Sequence, residues 1–300
     1  MGRRTALSWW LGIGAVLGAT PEERAIAYLA VEAPAWSKQN RCFSCHNNGD
    51  GARALYRAWE LGLRVPSEAM ADTTGWLARP AEWGQSRDEG GASDTRLAQI
   101  QFGASLAGAV QAGLVEDRRI LFQAAEALAA QQQPDGSWVV DAGSGVGSPA
   151  TYGKALATVM ASRTLAAADA LRFAGPVARA GRWLAETPAK TILDAAAVVM
   201  ALGDRRPEAL ELLLRGQGAE GGWGPYVNAP PETFDTAVAV LALASVRHER
   251  ERIGRGRQYL VRSQLPSGGW TETTRPSGGR SYAQHISTTA WATLALLETR

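Results

Sequence analysis

Cysteine and histidine are scarce: two and three in 300 residues, too few for a disulfide framework or a four-thiolate zinc module. An excess of one charge is missing too. Thirty-one Lys and Arg stand against 29 Asp and Glu, a net charge of +2, which leaves no electrostatic case for a nucleic-acid partner. Tyr and Phe number only six and five, few for an aromatic-lined chamber. No apolar run approaches the roughly 20 residues that a helix needs to cross a bilayer, so no stable membrane span is expected. What remains is a chain with 46% hydrophobic and 20% charged residues, the balance of an ordinary globular protein with material for a buried core.

The N-terminus carries Arg3 and Arg4, an apolar run from Ala6 to Ala19, and an abrupt return of polarity at Thr20-Pro21-Glu22-Glu23. That order of basic, apolar and polar segments describes a secretory signal over residues 1–20 and a periplasmic or otherwise exported protein. Residues 21–300 are then one domain, as the internal repeats indicate.

One short motif occurs three times, as Gln132 to Trp138, Gln217 to Trp223 and Gln264 to Trp270, each reading Gln-x-x-x-Gly-x-Trp. The tryptophans stand 85 and 47 residues apart, so a degenerate copy fits between the first two, at Gly181-Arg182-Trp183-Leu184. The period is a little over forty residues, the length of a helical hairpin. Each motif follows an amphipathic helix and precedes an Ala-rich one. Asp94-Thr95, Thr151, Asp194, Asp235-Thr236 and Ser287-Thr288 are expected to cap the second helices by accepting hydrogen bonds from first-turn amides. Gly136, Gly221 and Gly268 permit backbone angles closed to other residues, and the indoles supply buried area that pins the loops. Extended backward, the pattern adds two hairpins, Glu22 to Ala33 with Ala52 to Gly62, and Ser67 to Arg79 with Ser93 to Ala112. Six hairpins bury their faces by closing into a ring, with the Ala-rich helices inside. The expected fold is all-α, an (α/α)6 toroid.

These motifs resemble the repeats of squalene-hopene cyclase and other triterpene cyclases, and more loosely those of protein prenyltransferase β subunits. The resemblance implies the same toroid. It also implies an acid in an Asp-x-Asp-Asp-Thr-Ala stretch, which corresponds here to Glu232-Thr233-Phe234-Asp235-Thr236-Ala237. Phe234 takes the place of the family's proton donor, leaving Asp235 and Glu232 as the acids of a cyclase-like site. Inner-helix stretches such as Asp194 to Met200 and Ala237 to Leu243 are small and aliphatic, suited to a narrow centre. The two-domain cyclases of the family are also about twice this length. The prenyltransferase zinc set of Asp, Cys and His is met only by Asp235 and His285, with both cysteines far upstream.

Those cysteines form Cys42-Phe43-Ser44-Cys45-His46. Two thiols spaced for the vinyl groups of a porphyrin, followed by an imidazole for its iron, make the attachment motif of haem c. A Cys42–Cys45 disulfide, a redox pair and zinc are the rival readings. The flanking segments place the motif in a loop over residues 36–51. His46 is the expected proximal ligand, with His285, or alternatively Met70, on the other side of the iron. The functional expectation is an exported haem-c protein acting in electron transfer, redox sensing or haem-dependent binding. Its partner would be a redox protein or an apolar small molecule. The alternative is a terpenoid-handling enzyme or lipid-binding protein that uses the toroid's cavity.

Overall fold

The computed structural model describes residues 18–40, 42–85, 95–140, 152–246, 249–273 and 281–300, and among them are twelve α-helices and no strand. The signal segment falls largely outside the described residues. The helices pair as six hairpins: α1 (Pro21–Asn40) with α2 (Ala52–Glu60), α3 (Ala71–Leu77) with α4 (Thr95–Gln111), α5 (Arg118–Ala130) with α6 (Gly153–Asp169), α7 (Ala174–Glu186) with α8 (Ile192–Leu202), α9 (Pro207–Gly216) with α10 (Thr233–Val246), and α11 (Arg250–Ser263) with α12 (Tyr282–Glu298). The second helix of each pair packs on the second helix of the next, and α12 returns to α2, so the inner set closes. Composition explains the division of labour. α8 and α10 are apolar on nearly every face and buried along most of their length, as helices with neighbours all round must be. α11, on the outside, buries only Gly256 and Leu260.

The repeated motif ties the two helices of its own hairpin together and then docks on the next hairpin, by the same contacts each time. The Trp138, Trp223 and Trp270 indoles donate to the carbonyls of Leu128, Leu213 and Leu260 at 2.8, 2.7 and 2.7 Å. Their backbone N–H groups donate to Thr158, Thr236 and Thr289 Oγ1 on the following inner helix at 3.1, 2.9 and 3.1 Å. The motif Gln reaches farther: Gln132, Gln217 and Gln264 donate to the carbonyls of Pro176, Arg252 and Pro21 at 2.8, 2.9 and 2.9 Å, all on the outer helix of the next hairpin. At Gly268 φ is +98°, and a Cβ there would lie 2.3 Å from the Arg24 carbonyl oxygen, so only glycine allows this docking. Because Pro21 and Arg24 belong to α1, the last copy of the motif joins hairpin six to hairpin one. Arg57 on α2 adds a bidentate pair with Glu298 on α12, at 2.6 and 3.0 Å.

Three local expectations change. Trp183 lies inside α7 beneath Lys154, whose Nζ is 5.0 Å from the ring centroid, so the degenerate copy makes no glycine turn. Thr191 caps α8, and Asp194 reaches back to it from the third helical position, forming a capping box. α12 begins at Tyr282 with Ser281 as its cap, which leaves Ser287 and Thr288 buried in the helix interior. Asp94 and Thr151 lie outside the described residues.

Candidate functional site

The segment expected as a loop over residues 36–51 is mostly helical. α1 continues through Pro34 to Asn40, where Trp36 stacks on Tyr282 with centroids 5.9 Å apart. Cys45–Gly51 forms a π-helical turn that runs directly into α2. Asn47, Asn48, Gly49 and Asp50 look like turn residues in sequence, but here they are buried, and neighbours meet the Asn48 side chain, the Asp50 carboxylate and the Asn47 amide nitrogen. The Asn48 amide donates to the Ala33 carbonyl and to Thr73 Oγ1 at 3.2 and 2.8 Å, and its Oδ1 accepts from Ser44 N–H at 2.8 Å. A Cβ on Gly49 would lie 2.9 Å from Gln101 Cβ, so the turn approaches α4 this closely only with glycine there. Wide turns of this kind inside helices often mark functional positions.

Asp50 is the centre of what the turn presents. It is 1% exposed. Oδ2 accepts from Gln101 Nε2 and Ser287 Oγ at 2.8 and 2.7 Å, and Oδ1 accepts from the Tyr152 hydroxyl at 2.7 Å. Burial, and next the Asp50 charge, push Tyr152 well above the usual phenol range, so Tyr152 keeps its proton and donates it. Ser287 gives its one proton to Asp50 and so accepts from His46 Nδ1, 2.7 Å away. With serine between histidine and aspartate, the order is not that of an activated nucleophile, whose hydroxyl faces the histidine as base. Four of the six hairpins contribute to this group: one, two, three and six.

Tyr152 also joins the axial polar group to an aromatic one. Its ring centroid lies 6.2 Å from Phe234 and 5.6 Å from Trp291, with Phe234 and Trp291 5.7 Å apart, and its hydroxyl accepts from Trp291 Nε1 at 3.2 Å. The aliphatic centre expected from composition therefore holds three converging rings from α10, α12 and the start of α6. Phe234, in the place of the family's acid, is one of them. Trp291 in turn borders a cavity of about 630 Å³ that opens toward the C-terminal halves of the inner helices. Ala104, Met160, Met200, Leu241 and Leu294 supply its apolar lining, while Arg53 and Arg163 bring positive charge into it. Its volume falls within the range of about 300–1,000 Å³ usual for small-molecule pockets.

The residues singled out from sequence are dispersed around this arrangement. Cys42 and Cys45 are both free thiols. Cys45 is buried, Cys42 Sγ accepts from the Trp36 indole at 3.3 Å, and Phe43 between them stacks on Trp76 at 4.3 Å. This packing presents no exposed pair of sulfurs to a porphyrin, and a haem would fit only after the segment rearranged. His285 is engaged on both ring nitrogens: Nε2 lies 2.8 Å from the Tyr28 hydroxyl, and Nδ1 lies 3.7 Å from Glu272. Burial raises Tyr28 to about 12, so its phenol donates to Nε2. The residue that α12 turns toward His46 is Ser287. Met70 is buried in the apolar core beside Trp76. Glu232 ties the Trp223 loop to α10 through its backbone, and Asp235 lies fully buried in the first turn of α10. The cavity is met only from Leu241 onward, at least six residues or about 9 Å along the helix. No group of three or more His, Cys, Asp and Glu among the described residues is placed to hold a metal ion.

Sequence reasoning passed over Asp50, Arg53, Tyr152, Ser287 and Trp291. Asp50 was hidden by the turn-like run around it, and the others by their placement in segments read only for caps and core.

A closed ring of six hairpins, with small-residue helices inside and indole-pinned loops joining outer to inner helix, defines an α/α toroid of the terpenoid-cyclase kind. No protein-family model and no curated protein matches the sequence. Among solved structures, the chain is similar to the type II terpene cyclase MstE from Scytonema. The apo form aligns with a TM-score of 0.55 at 15% identity, over 92% of this chain and 97% of that one. A variant in complex with geranylgeranyl dihydroxybenzoate, its substrate, aligns with a TM-score of 0.54 at 16% identity, over 93% and 98%. A further variant in complex with merosterolic acid A, its product, gives 0.54 at 17% identity, over 93% and 95%. At these identities the likeness establishes the fold.

The similarity corrects two expectations. The toroid read as scaffold for an electron-transfer, redox-sensing or haem-dependent protein instead has type II terpene cyclases as its structural neighbours. The length argument falls as well, because one such cyclase is matched over 98% of its own chain. No helix among the described residues is long and apolar enough to cross a membrane.

Proposed function

We propose that this chain is a terpenoid-handling protein that takes an isoprenoid-derived molecule into the cavity lined by Met160, Met200, Leu241, Leu294 and Trp291. One observation carries this reading: a cavity of about 630 Å³, with apolar and charged residues on its wall, meets a cluster of converging aromatic rings in the interior of a cyclase-type toroid. Burying a prenyl chain against such a wall gains roughly 25 cal/mol per Å² of apolar surface removed from water. Trp291 is the anchor, since its indole is held by Tyr152 and cannot swing aside without breaking that bond. Geranylgeranyl dihydroxybenzoate, the substrate bound in the neighbouring structure, is a suitable probe.

Titration calorimetry of the purified full chain with that compound in mild detergent is expected to give saturable binding. Trp291→Ala should weaken it by about tenfold or more, because it removes the buried ring that backs the cavity wall and on which Arg53 is stacked. Binding by the variant equal to that of wild type, or no binding by wild type, would count against the cavity as the site. Mass spectrometry of the same mixtures, searching for an isomer of the ligand, would show whether handling includes cyclisation.

Covalent haem at Cys42 and Cys45 is a separate proposal resting on the Cys-x-x-Cys-His spacing alone, with export through residues 1–20 as its precondition. His46 and the two thiols would hold the group. Expression with the complete N-terminal segment and the cytochrome c maturation machinery, followed by haem staining of a denaturing gel, is the test. The expected band disappears in a Cys42→Ser/Cys45→Ser double variant, and an unstained wild type removes haem from the description.

A further inference from the structure

We infer that Arg53 and Arg163 form a subsite for an anionic head group, and that the ligand of the cavity is an isoprenoid amphiphile ending in a carboxylate or a phosphate. This rests on the proposed use of the cavity and names the chemical class of its occupant.

Arg53 stands in the first turn of α2, with its side chain 13% exposed. A guanidinium carries five N–H donors and stays charged at any ordinary pH, yet this one is poorly served. Its Nε and Nη2 make no hydrogen bond, and Nη1 reaches only the Met160 sulfur at 3.2 Å. The Trp291 face lies 4.4 Å below it, a contact that steadies a cation without satisfying its N–H groups. Asp50 Oδ1 is 3.9 Å from Nη2, beyond hydrogen-bond reach, and its oxygens already accept from Gln101, Tyr152 and Ser287. Unmet buried donors are costly enough that a native protein retains them for a reason.

Arg163, on α6, lines the same cavity and is accessible to water within it. Its Nη2 donates to the Met200 carbonyl at 2.8 Å. Crowding by the surrounding protein, and then the charge of Arg53, lower its pKa. The acids on the cavity wall relieve this repulsion only in part: Glu298 attracts Arg163, but Glu60 and Glu298 are both bonded to Arg57, at 2.8 and 2.6 Å. Two guanidinium groups therefore face one cavity whose wall acids are both bonded to Arg57, while Met160, Met200, Leu241 and Leu294 give the same cavity an apolar stretch among its polar residues. An anion matches the first feature, through charge-assisted and forked hydrogen bonds, and a hydrocarbon tail matches the second.

The test compares three ligands that share a tail and differ in the head group: farnesol, farnesoate and farnesyl phosphate, titrated into the full chain at neutral pH and low salt. Wild type is expected to bind at least one of the two anions about tenfold or more tightly than farnesol, and the tighter of the pair identifies the head group. Arg53→Gln should abolish the preference while leaving farnesol binding in place, and Arg163→Gln, at a position more open to water, should reduce it, with thermal melts confirming that both fold. Equal affinity for all three ligands would overturn the subsite and leave the cavity reading intact. A preference that survives in both variants would overturn it too. If no ligand binds wild type, both readings fail.

Discussion

Trp223→Ala is expected to destabilise the protein by about 3–5 kcal/mol, lowering the melting temperature by roughly 10 °C in a chain of this size. The indole is fully buried and bonded at both polar ends, to Leu213 and, through its backbone, Thr236. The void left behind could not close easily. α11 passes over the ring at Gly256, where a Cβ would lie 2.7 Å from the indole, so no side chain stands ready to move in. Trp183→Ala is the control, because that ring is only half-buried in α7 under Lys154 and should lose about 1–2 kcal/mol by the area it covers. Calorimetric melts of both variants decide the matter. Similar losses from the two would show that the motif tryptophans are ordinary core residues rather than the pins that hold the two helices of a hairpin together.

Asp50→Ala is expected to cost about 3–5 kcal/mol, the usual result of removing one member of a buried charged group and leaving its partners behind. Gln101, Tyr152 and Ser287 would all lose their acceptor, and Arg53 its nearest carboxylate. Asp50→Asn preserves shape and one acceptor oxygen but turns an amide N–H toward existing donors, so about 1–3 kcal/mol is expected from that mismatch. Urea unfolding monitored by circular dichroism would separate the two. A loss below about 1 kcal/mol for Asp50→Ala would mean that water replaces the carboxylate and that the network does not hold the hairpins together.

The toroid was legible because its signals are local and repeated. Gln264, Gly268 and Trp270 can be recognised in a single short window, and each acts within the distance of one neighbouring hairpin. Helix type was legible in the same way, from the apolar faces of α8 and α10. The site was not. His46, Asp50, Gln101, Tyr152 and Ser287 are spread over more than two hundred residues and meet only because the ring closes. The Asn-Asn-Gly-Asp run misled for a physical reason: these residues favour turns when water serves their side chains, whereas here Ala33, Thr73 and Tyr282 serve them. The Cys-x-x-Cys-His motif drew attention to the right segment, but toward its sulfurs instead of the carboxylate five residues beyond Cys45. Phe234 was read as the loss of an acid, and in the structure it is also the gain of a ring beside Tyr152 and Trp291.

The contacts by which the sixth hairpin grips the first have a topological meaning. Gln264 holds Pro21 by the same bond with which Gln132 holds Pro176 and Gln217 holds Arg252. Judged by these bonds, the seam where the described chain starts and stops is the same kind of joint as two that the backbone crosses without a break. The molecule thus behaves as a cyclic object that happens to be cut once. A linear array of repeats exposes two raw end faces and needs special caps to cover them, but this one covers each end with the other.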